Sequence, residues 1–255
     1  MKIKVGAIIQ ARIGSTRYPG KVLEKIDERT VLEFLLERLS TLKEIDSIII
    51  AIPKNQTEHK LYSMLIEKGY TVFRGDENNV ICRVLDAVKE NKIDIIVDIT
   101  ADCPLVDLSH VKGLIYQVKD NGYDYASNIS PRTWPDGFDV QVYHKDLLKA
   151  AKHAIDDDNH YSHVGWNILH YRDQIEFNIN KILTVYNITA GHKYRFPQWG
   201  LTLDEPADLI VIKKIVEHFA DHPETMNAET IIEYIKTGDI LKHNAHVVRK
   251  EPGKG

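Results

Sequence analysis

The stretch Val5-Gly-Ala-Ile-Ile-Gln-Ala-Arg-Ile-Gly-Ser-Thr-Arg-Tyr-Pro-Gly-Lys21 decides the fold. Its first part, residues 5–10, is an apolar run bounded by polar residues, which is typical of a strand buried on both faces of a parallel sheet. The remainder, residues 11–21, is a loop rich in glycine and arginine. Because open α/β folds bind ligands beyond the carboxyl ends of their strands, we expect this loop to belong to a binding site.

Helical and strand patterns alternate downstream of this stretch. Helices are predicted at 31–42, 58–68, 80–90, 109–119 and 145–154, at a segment opening at Pro206, and at 228–237. Strands are predicted at 47–52, 71–73, 93–100, 138–143 and 200–204, with weaker candidates at 174–178 and 182–185. Such alternation predicts an α/β fold with a parallel sheet.

Length and composition indicate one soluble domain. We assign residues 1–245 to it, with an irregular acceptor or dimer lobe at about 130–198 and a flexible tail at 246–255. The formal net charge of −4 argues against a nucleic-acid partner, and no apolar run approaches the ~20 residues of a membrane span. Two cysteines without a paired motif suit the reducing cytoplasm.

The loop after the first strand carries the chemistry of a polyanion site. Arg12, Arg17 and Lys21 supply charge-assisted hydrogen-bond donors, while Gly14 and Gly20 allow close backbone approach and positive φ. The loop matches neither the P-loop nor the dinucleotide-binding fingerprint. A solvated basic surface loop explains the same residues about as well on spacing alone.

Two aspartates follow predicted strands at the same sheet edge. Asp102 comes directly after the strand at 93–100, and Asp204 ends the predicted strand at 200–204. Two carboxylates opposite a triphosphate would suit octahedral Mg²⁺, which binds few protein ligands. Helix capping is the alternative for either residue, because each lies two residues before a proline.

Several ordered motifs together resemble one family. They are Gln10-Ala-Arg12, Gly14-Ser-Thr-Arg17, Pro19-Gly-Lys21, Arg74-Gly75, Asn79-Val80, Arg83, Ala101-Asp-Cys-Pro-Leu-Val-Asp107, Tyr125-Ala-Ser-Asn128, Pro135-Asp-Gly-Phe-Asp-Val140 and Leu203-Asp204. This set is similar to the cytidylyltransferases of the spore-coat-polysaccharide type, relatives of the enzymes that make CMP-Kdo and CMP-sialic acid.

The resemblance implies a Rossmann-like nucleotide-diphosphosugar transferase fold of the GT-A type, with helices on both faces of a mixed, mostly parallel sheet, in a homodimer. It implies an Mg²⁺-dependent enzyme that joins CMP from CTP to a sugar or sugar acid. Residues implied to bind CTP are Gln10, Ala11, Arg12, Gly14, Ser15, Arg17, Lys21, Arg74, Asn79 and Arg83. Metal binding is implied for Asp102 and Asp204, and catalysis for these two with Arg12 and Lys21. Acceptor-side residues are implied to be Asn128, Asp136, Asp139 and His163.

The acceptor side departs from the family pattern at two places. Related sequences tend to have Glu at the position of Gln141 and an Arg-Glu pair before His163, where this chain has Tyr161 and Ser162. An Asp-Gly turn that opens a strand also explains Asp136 without any substrate. The histidines at 153–170 are more typical of surface or packing positions than of a metal site.

Two other functions remain compatible with the sequence. One is a glycosyltransferase of the same fold that uses a preformed sugar nucleotide, and the other is a non-catalytic nucleotide-binding subunit. Asp102-Cys-Pro104 stands where the first class usually has an Asp-x-Asp motif. The presence of both metal-type aspartates argues against the second class.

Overall fold

A computed structural model describes residues 2–157, 160–161, 164–175 and 183–249. Its strands are β1 (Val5–Gln10), β2 (Lys25–Ile26), β3 (Arg29–Thr30), β4 (Ser47–Pro53), β5 (Val72–Gly75), β6 (Ile95–Thr100), β7 (Tyr125–Ser127), β8 (Gln141–His144) and β9 (Val185–Asn187). Its α-helices are α1 (Val31–Ser40), α2 (His59–Glu67), α3 (Val80–Glu90), α4 (Leu108–Lys119), α5 (Lys145–Ala154), α6 (Trp166–His170), α7 (Pro206–His218) and α8 (Ala228–Lys236).

Seven strands form one mixed sheet in the order β5-β4-β1-β6-β8-β7-β9. Neighbours from β5 to β6 are parallel, β8 is antiparallel to β6 and β7, and β9 is parallel to β7. The carboxyl ends of β1, β4, β5 and β6 therefore lie along one edge. This arrangement confirms the predicted α/β fold with a mostly parallel sheet.

Apolar residues alternate between the two faces of β1 and bury helices on both. Ala7 and Ile9 belong to a core cluster with residues of α1, α2 and α4. Ile8 belongs to a second cluster with residues of α3, α5 and α6. Since successive strand side chains point to opposite faces, this alternation places helices on both sides, as predicted.

A third apolar cluster lies beyond the sheet edge. Many of its members come from α7 and α8, and it also contains Trp134, Phe138 and Leu201 and residues of α1. The helices therefore pack onto the segment that precedes β8. None of the helices in the described part of the chain is long and apolar enough to cross a membrane.

The segment at 200–204 differs from its prediction as a strand. Gly200 forms an isolated bridge with Asp136, and the backbone N–H of Leu203 donates to the carbonyl oxygen of Asp102 at 2.8 Å. Leu201 and Leu203 are buried, which explains the strand-like alternation. Their backbones bond to two loops instead of a strand, and the second of these loops carries Asp102.

Other boundaries differ by a few residues. The predicted strand at 138–143 begins only at Gln141, because the amide of Asn128 holds the backbone of Phe138 and Val140. The strand candidate at 174–178 lies largely outside the described residues. Of the candidate at 182–185, residues 183 and 184 are described but do not belong to a strand, and β9 begins only at Val185.

Candidate active site

Hydrogen bonds within its own backbone and to Glu58, the residue before α2, fix the conformation of the loop at 11–21. The carboxylate of buried Glu58 accepts from the N–H of Ile13 at 2.9 and 3.0 Å, and the carbonyl of Ile13 accepts from the N–H of Gly20 at 2.9 Å. Gly20 adopts a φ of 75°, which glycine tolerates without strain. Gly14 is not among the described glycines with a positive φ. The backbone conformation therefore requires glycine at position 20 but not at position 14.

Lys21 begins a short 3₁₀ turn, Lys21–Leu23, and its side chain joins the two predicted metal aspartates. Its Nζ lies 2.5 Å from Oδ2 of Asp102 and 3.3 Å from Oδ1 of Asp204. We call Asp102 and Asp204 the lysine-bridged pair. A lysine and two aspartates that are 81 and 183 residues away in the chain thus share one point at the sheet edge.

A second loop cation also contacts this pair. Arg17 Nη2 lies 2.9 Å from Oδ1 of Asp204. Asp204 lies near Asp102 because the backbone N–H of the preceding residue, Leu203, is hydrogen-bonded to the carbonyl oxygen of Asp102. The cationic loop and both carboxylates therefore meet at one place.

Other aspartates perform the capping that was the alternative for this pair. Asp107 caps α4 by accepting from Ser109 N and His110 N. Asp208 accepts from the backbone N–H of Asp204 and of Glu205 at 2.9 and 2.8 Å at the start of α7. The carboxylates of Asp102 and Asp204 instead face the cations.

The contact between Lys21 and Asp102 shifts the pKa values of both side chains. Burial alone would raise the pKa of Asp102, but the Lys21 ammonium outweighs it and the pKa lies below its ordinary value. Burial would likewise lower the pKa of Lys21, yet Asp102 and Asp204 hold it above its usual range. Both directions favour the charged forms of Asp102 and Lys21 at neutral pH.

The donor set suits a hard divalent cation. Asp102 and Asp204 offer carboxylate oxygens, and among the residues that the structure describes no group of three or more histidine, cysteine, aspartate or glutamate side chains could hold a metal. A cation bound by the two aspartates would complete its coordination with phosphate oxygens and water, which is the usual arrangement for Mg²⁺.

A cleft of about 330 Å³ opens beside this pair at the carboxyl end of the sheet. It is lined by Gln10, Ala11, Arg12, Ser15, Lys21, Val22, Val80, Arg83, Thr100, Ala101 and Asp102. Burial and then the charge of Arg12 lower the pKa of Arg83 to about 10. Two neighbouring guanidinium groups and Lys21 make this cleft suitable for a polyanion.

Two residues implied to bind the nucleotide are engaged elsewhere. Arg74 lines a separate cleft with Lys54 and His59, where its guanidinium donates to Asn55 O and stacks over Tyr62. Asn79 caps α3 by accepting from Cys82 N at 2.9 Å. The structure therefore brings Arg83 into the main cleft and gives Asn79 a structural role.

Asp136 and Asp139, which the resemblance implies to be acceptor-side residues, share an arginine that the sequence analysis missed. Arg132 donates to both oxygens of Asp139, at 2.6 and 2.5 Å, and lies 3.4 Å from Asp136. We call Asp136 and Asp139 the arginine-clamped pair. Gly137 between them has a φ of 111°, and a Cβ there would overlap the backbone of Leu201, so the Asp-Gly turn is also real.

The arginine-clamped pair has a different charge balance. Burial and then the charge of Asp139 raise the pKa of Asp136 to about 6. The same carboxylate holds the pKa of Arg132 above its ordinary value, although burial opposes this. Asp136 therefore changes its protonation close to neutral pH.

Asn128 is buried and holds the backbone on both sides of Asp139. Its amide donates to Phe138 O at 2.7 Å and accepts from Val140 N at 3.0 Å. It supports the segment around Asp139 and is not among the cleft-lining residues. His163 lies outside the described residues.

The histidines near residue 160 pack among aromatic rings. His160 shares a hydrogen bond of 2.7 Å with the hydroxyl of Tyr171, and His170 stacks on Trp166 at 4.1 Å. Packing of this kind agrees with the structural interpretation that the sequence favoured.

Residues 246–249 of the predicted flexible tail lie against the domain. Val247 is buried, and Arg249 Nη2 lies 2.5 Å from Oδ1 of Asp208 while its Nη1 lies 3.7 Å from Asp204. Residues 250–255 lie outside the described residues. No local pattern marks Arg249, because its partners are about 40 residues away in the chain.

Comparisons with known proteins give a consistent family. The cytidylyltransferase family model matches residues 6–202. The chain is similar to the spore coat polysaccharide biosynthesis protein SpsF of Bacillus subtilis, with 30% identity over 88% of this chain and 91% of that protein. It is also 34% identical to a 3-deoxy-manno-octulosonate cytidylyltransferase of Solibacter usitatus, over 42% of each chain.

A solved structure agrees over nearly the whole chain. A cytidylyltransferase from Leptospira borgpetersenii superposes with a TM-score of 0.83 at 26% identity, covering 97% of this chain and all of that one. The match includes the C-terminal helices that lie beyond the family model.

Proposed function

The chain belongs to the cytidylyltransferase family, and we propose that it transfers CMP from CTP to a sugar acid or related sugar, with release of pyrophosphate, using the cleft at the carboxyl ends of β1 and β6. The single observation that carries this assignment to the cleft is the position of Lys21. Its ammonium bridges Asp102 and Asp204, so that the basic loop and two metal-type carboxylates face the same space.

The proposed reaction is an in-line displacement at the α-phosphorus of CTP. A hydroxyl or phosphate oxygen of the acceptor forms a bond to that phosphorus, the bond to the bridging oxygen breaks, and pyrophosphate leaves. Negative charge accumulates on the bridging oxygen during this step. Cationic donors fixed before the reaction stabilise this charge without reorganisation.

Each cation of the loop has a place in this scheme. Arg12 and Lys21 line the cleft and would contact the triphosphate, and Arg17 lies beside Lys21 on Asp204. Arg83 adds charge from α3. These side chains would bind the triphosphate and hold the leaving pyrophosphate in line with the acceptor.

Mg²⁺ would be held by Asp102 and Asp204 and would supply neutralisation of the α-phosphate charge. In that state the Lys21 ammonium, which now contacts both carboxylates, would turn to the phosphates. Before the nucleotide binds, the Lys21 ammonium would keep Asp102 charged and hold the two carboxylates close together.

The acceptor is proposed to bind near the arginine-clamped pair. The Solibacter relative is named for the 2-keto sugar acid 3-deoxy-manno-octulosonate, and the Bacillus relative for polysaccharide biosynthesis. The backbone of Asp136 pairs with that of Gly200 and Leu201, in the segment that leads to Asp204, so this pair adjoins the lysine-bridged pair. We extend the proposal to a cytoplasmic homodimer, on resemblance to the family, and light scattering of the purified chain tests the dimer.

A pyrophosphate-release assay tests the proposed function. The chain is incubated with CTP and Mg²⁺ and a panel of 2-keto sugar acids and sugar phosphates, with UTP and GTP in parallel. We expect release that requires CTP, Mg²⁺ and one acceptor class together. A glycosyltransferase would release no pyrophosphate from CTP, and a non-catalytic subunit would bind CTP without turnover, so either result would refute the assignment.

A further inference from the structure

The C-terminal segment at 244–249 contacts two of the segments that meet at the lysine-bridged pair. Asn244 donates to Gly200 O and to Oδ1 of Asp208, each at 2.9 Å. The carbonyl of Val248 accepts from Nη1 of Arg17 at 3.2 Å. Residues 244–249 therefore connect the loop that carries Asp204 with the loop that carries Arg17.

Arg249 makes the strongest contacts of this segment. Its guanidinium donates to Oδ1 and Oδ2 of Asp208, at 2.5 and 3.3 Å, and to the carbonyl oxygens of Gly200 and Thr202. A Cβ at Gly200 would collide with this guanidinium, so glycine makes room for it. One planar group thus fixes a carboxylate and two carbonyls of the 200–208 loop.

The contact with Asp208 extends to the backbone of Asp204. Asp208 is fully buried, and its Oδ2 accepts from the N–H groups of Asp204 and Glu205. An arginine that fixes Asp208 therefore also fixes the backbone from which the Asp204 side chain projects. Its direct contact with Asp204 is much longer, at 3.7 Å.

We infer that Arg249 is a positioning residue for Asp204, which it holds in place through Asp208. The inference rests on the proposed role of Asp204 in the CTP reaction, but its structural part can be measured without any nucleotide. Residues that orient metal ligands from behind typically change metal affinity or activity by about 10- to 100-fold when replaced.

Charge and positioning predict opposite results, which makes the test sharp. If Arg249 acted only by its charge beside Asp204, its removal would tighten the binding of a cation there, and lysine would replace it well. If Arg249 acts through its two hydrogen bonds to Asp208, both Arg249→Gln and Arg249→Lys should weaken cation binding at Asp204. Neither side chain has the guanidinium that donates to both carboxylate oxygens.

The nucleotide experiment uses the full chain without acceptor, so that CTP is not consumed. CTP binding is measured by calorimetry over a series of Mg²⁺ concentrations for the parent and for Arg249→Gln, Arg249→Lys and the exposed control Arg172→Gln. We expect the Mg²⁺ concentration for half-maximal binding to rise about tenfold or more in both Arg249 variants and to stay unchanged in the control. Tighter or unchanged Mg²⁺ dependence would overturn the inference.

Hydrogen exchange in the nucleotide-free protein provides the independent arm. We expect the amides of Asp204 and Glu205 to exchange faster in both Arg249 variants, while amides of β1 keep their protection. Unchanged exchange at these two amides would overturn the inference, even if the chain turns CTP over. Faster exchange in a chain that binds no CTP would retain the positioning role and refute the proposed function alone.

Discussion

The lysine-bridged pair and the arginine-clamped pair each contact a basic side chain, yet the pKa values of Asp102 and Asp136 are shifted in opposite directions. In the lysine-bridged pair, Lys21 contacts both carboxylates, and its ammonium lowers the pKa of Asp102 despite burial. In the arginine-clamped pair, Arg132 donates two hydrogen bonds to Asp139 and lies 3.4 Å from Asp136, and burial together with the charge of Asp139 raises the pKa of Asp136 to about 6. A carboxyl that is buried beside a second carboxylate therefore keeps a raised pKa when the cation is hydrogen-bonded mainly to the other carboxylate.

This difference suits the two tasks that we propose for the site. A charged Asp102 suits the proposed binding of a divalent cation. Asp136, which gains or loses a proton near pH 6, suits the proposed contact with an acceptor hydroxyl. Three substitutions can break or sharpen this comparison, and they follow in order of expected effect.

Replacing Lys21 should have the largest effect on activity. In Lys21→Ala the two carboxylates lose their shared cation and the triphosphate loses a donor, so we expect kcat/KM for CTP to fall by about 10³ or more. Pyrophosphate release with CTP and Mg²⁺ measures this. Lys25→Ala, whose exposed side chain contacts Glu28 O, is the matched control and should retain activity. Near-parental turnover by Lys21→Ala would remove the bridge from the mechanism.

Replacing Arg132 should have a smaller effect, which falls on the acceptor and not on CTP. Arg132→Gln removes two charge-assisted hydrogen bonds to Asp139, each of a kind worth about 1.5–3 kcal/mol. We expect KM for the acceptor to rise about tenfold or more while KM for CTP stays near the parent value. Steady-state kinetics with each substrate varied in turn measure the two constants, with exposed Arg195→Gln as control. A rise in KM for CTP alone would place this pair on the nucleotide side instead.

Asp139→Asn should have the smallest effect, which is a change in how the free energy of unfolding depends on pH. The pKa of Asp136 is about 6 in the folded chain, above the unfolded value of ~3.9. The folded state therefore holds this proton more tightly, and the stability it contributes is present below ~pH 4 and lost as the pH rises through about 6. In Asp139→Asn the repelling charge disappears and Arg132 can turn to Asp136, so the pKa of Asp136 should fall.

Chemical denaturation at several pH values between about 4 and 7 measures this change. We expect the parent to lose stability across this interval and Asp139→Asn to lose less. Exposed Asp146→Asn, which pairs with Lys149, should follow the parent. A variant with the same slope as the parent would show that Asp139 does not set the pKa of Asp136.

Local sequence determined the parallel part of the sheet, most of its helices and the basic loop, whereas β7 and α6 were not predicted. The period-2 and period-3.6 apolar patterns specify β1, β4, β6 and the flanking helices, because each element buries one face or both regardless of its distant partners. The ends of these strands located Asp102 and the loop at 11–21 correctly at one sheet edge. Capping pairs such as Asn79 with the backbone of α3 are also local.

Only the tertiary structure decided which charged groups meet. Local patterns gave 200–204 as a strand, yet its backbone bonds to the loops of Asp136 and Asp102 and so carries Asp204 to Lys21. Arg249 lies in the same region without any local signal, whereas Arg74 lies in another cleft. The physical reason is that a charge–charge contact depends on distance in space, and chain neighbours do not encode it across about 40 to 180 residues.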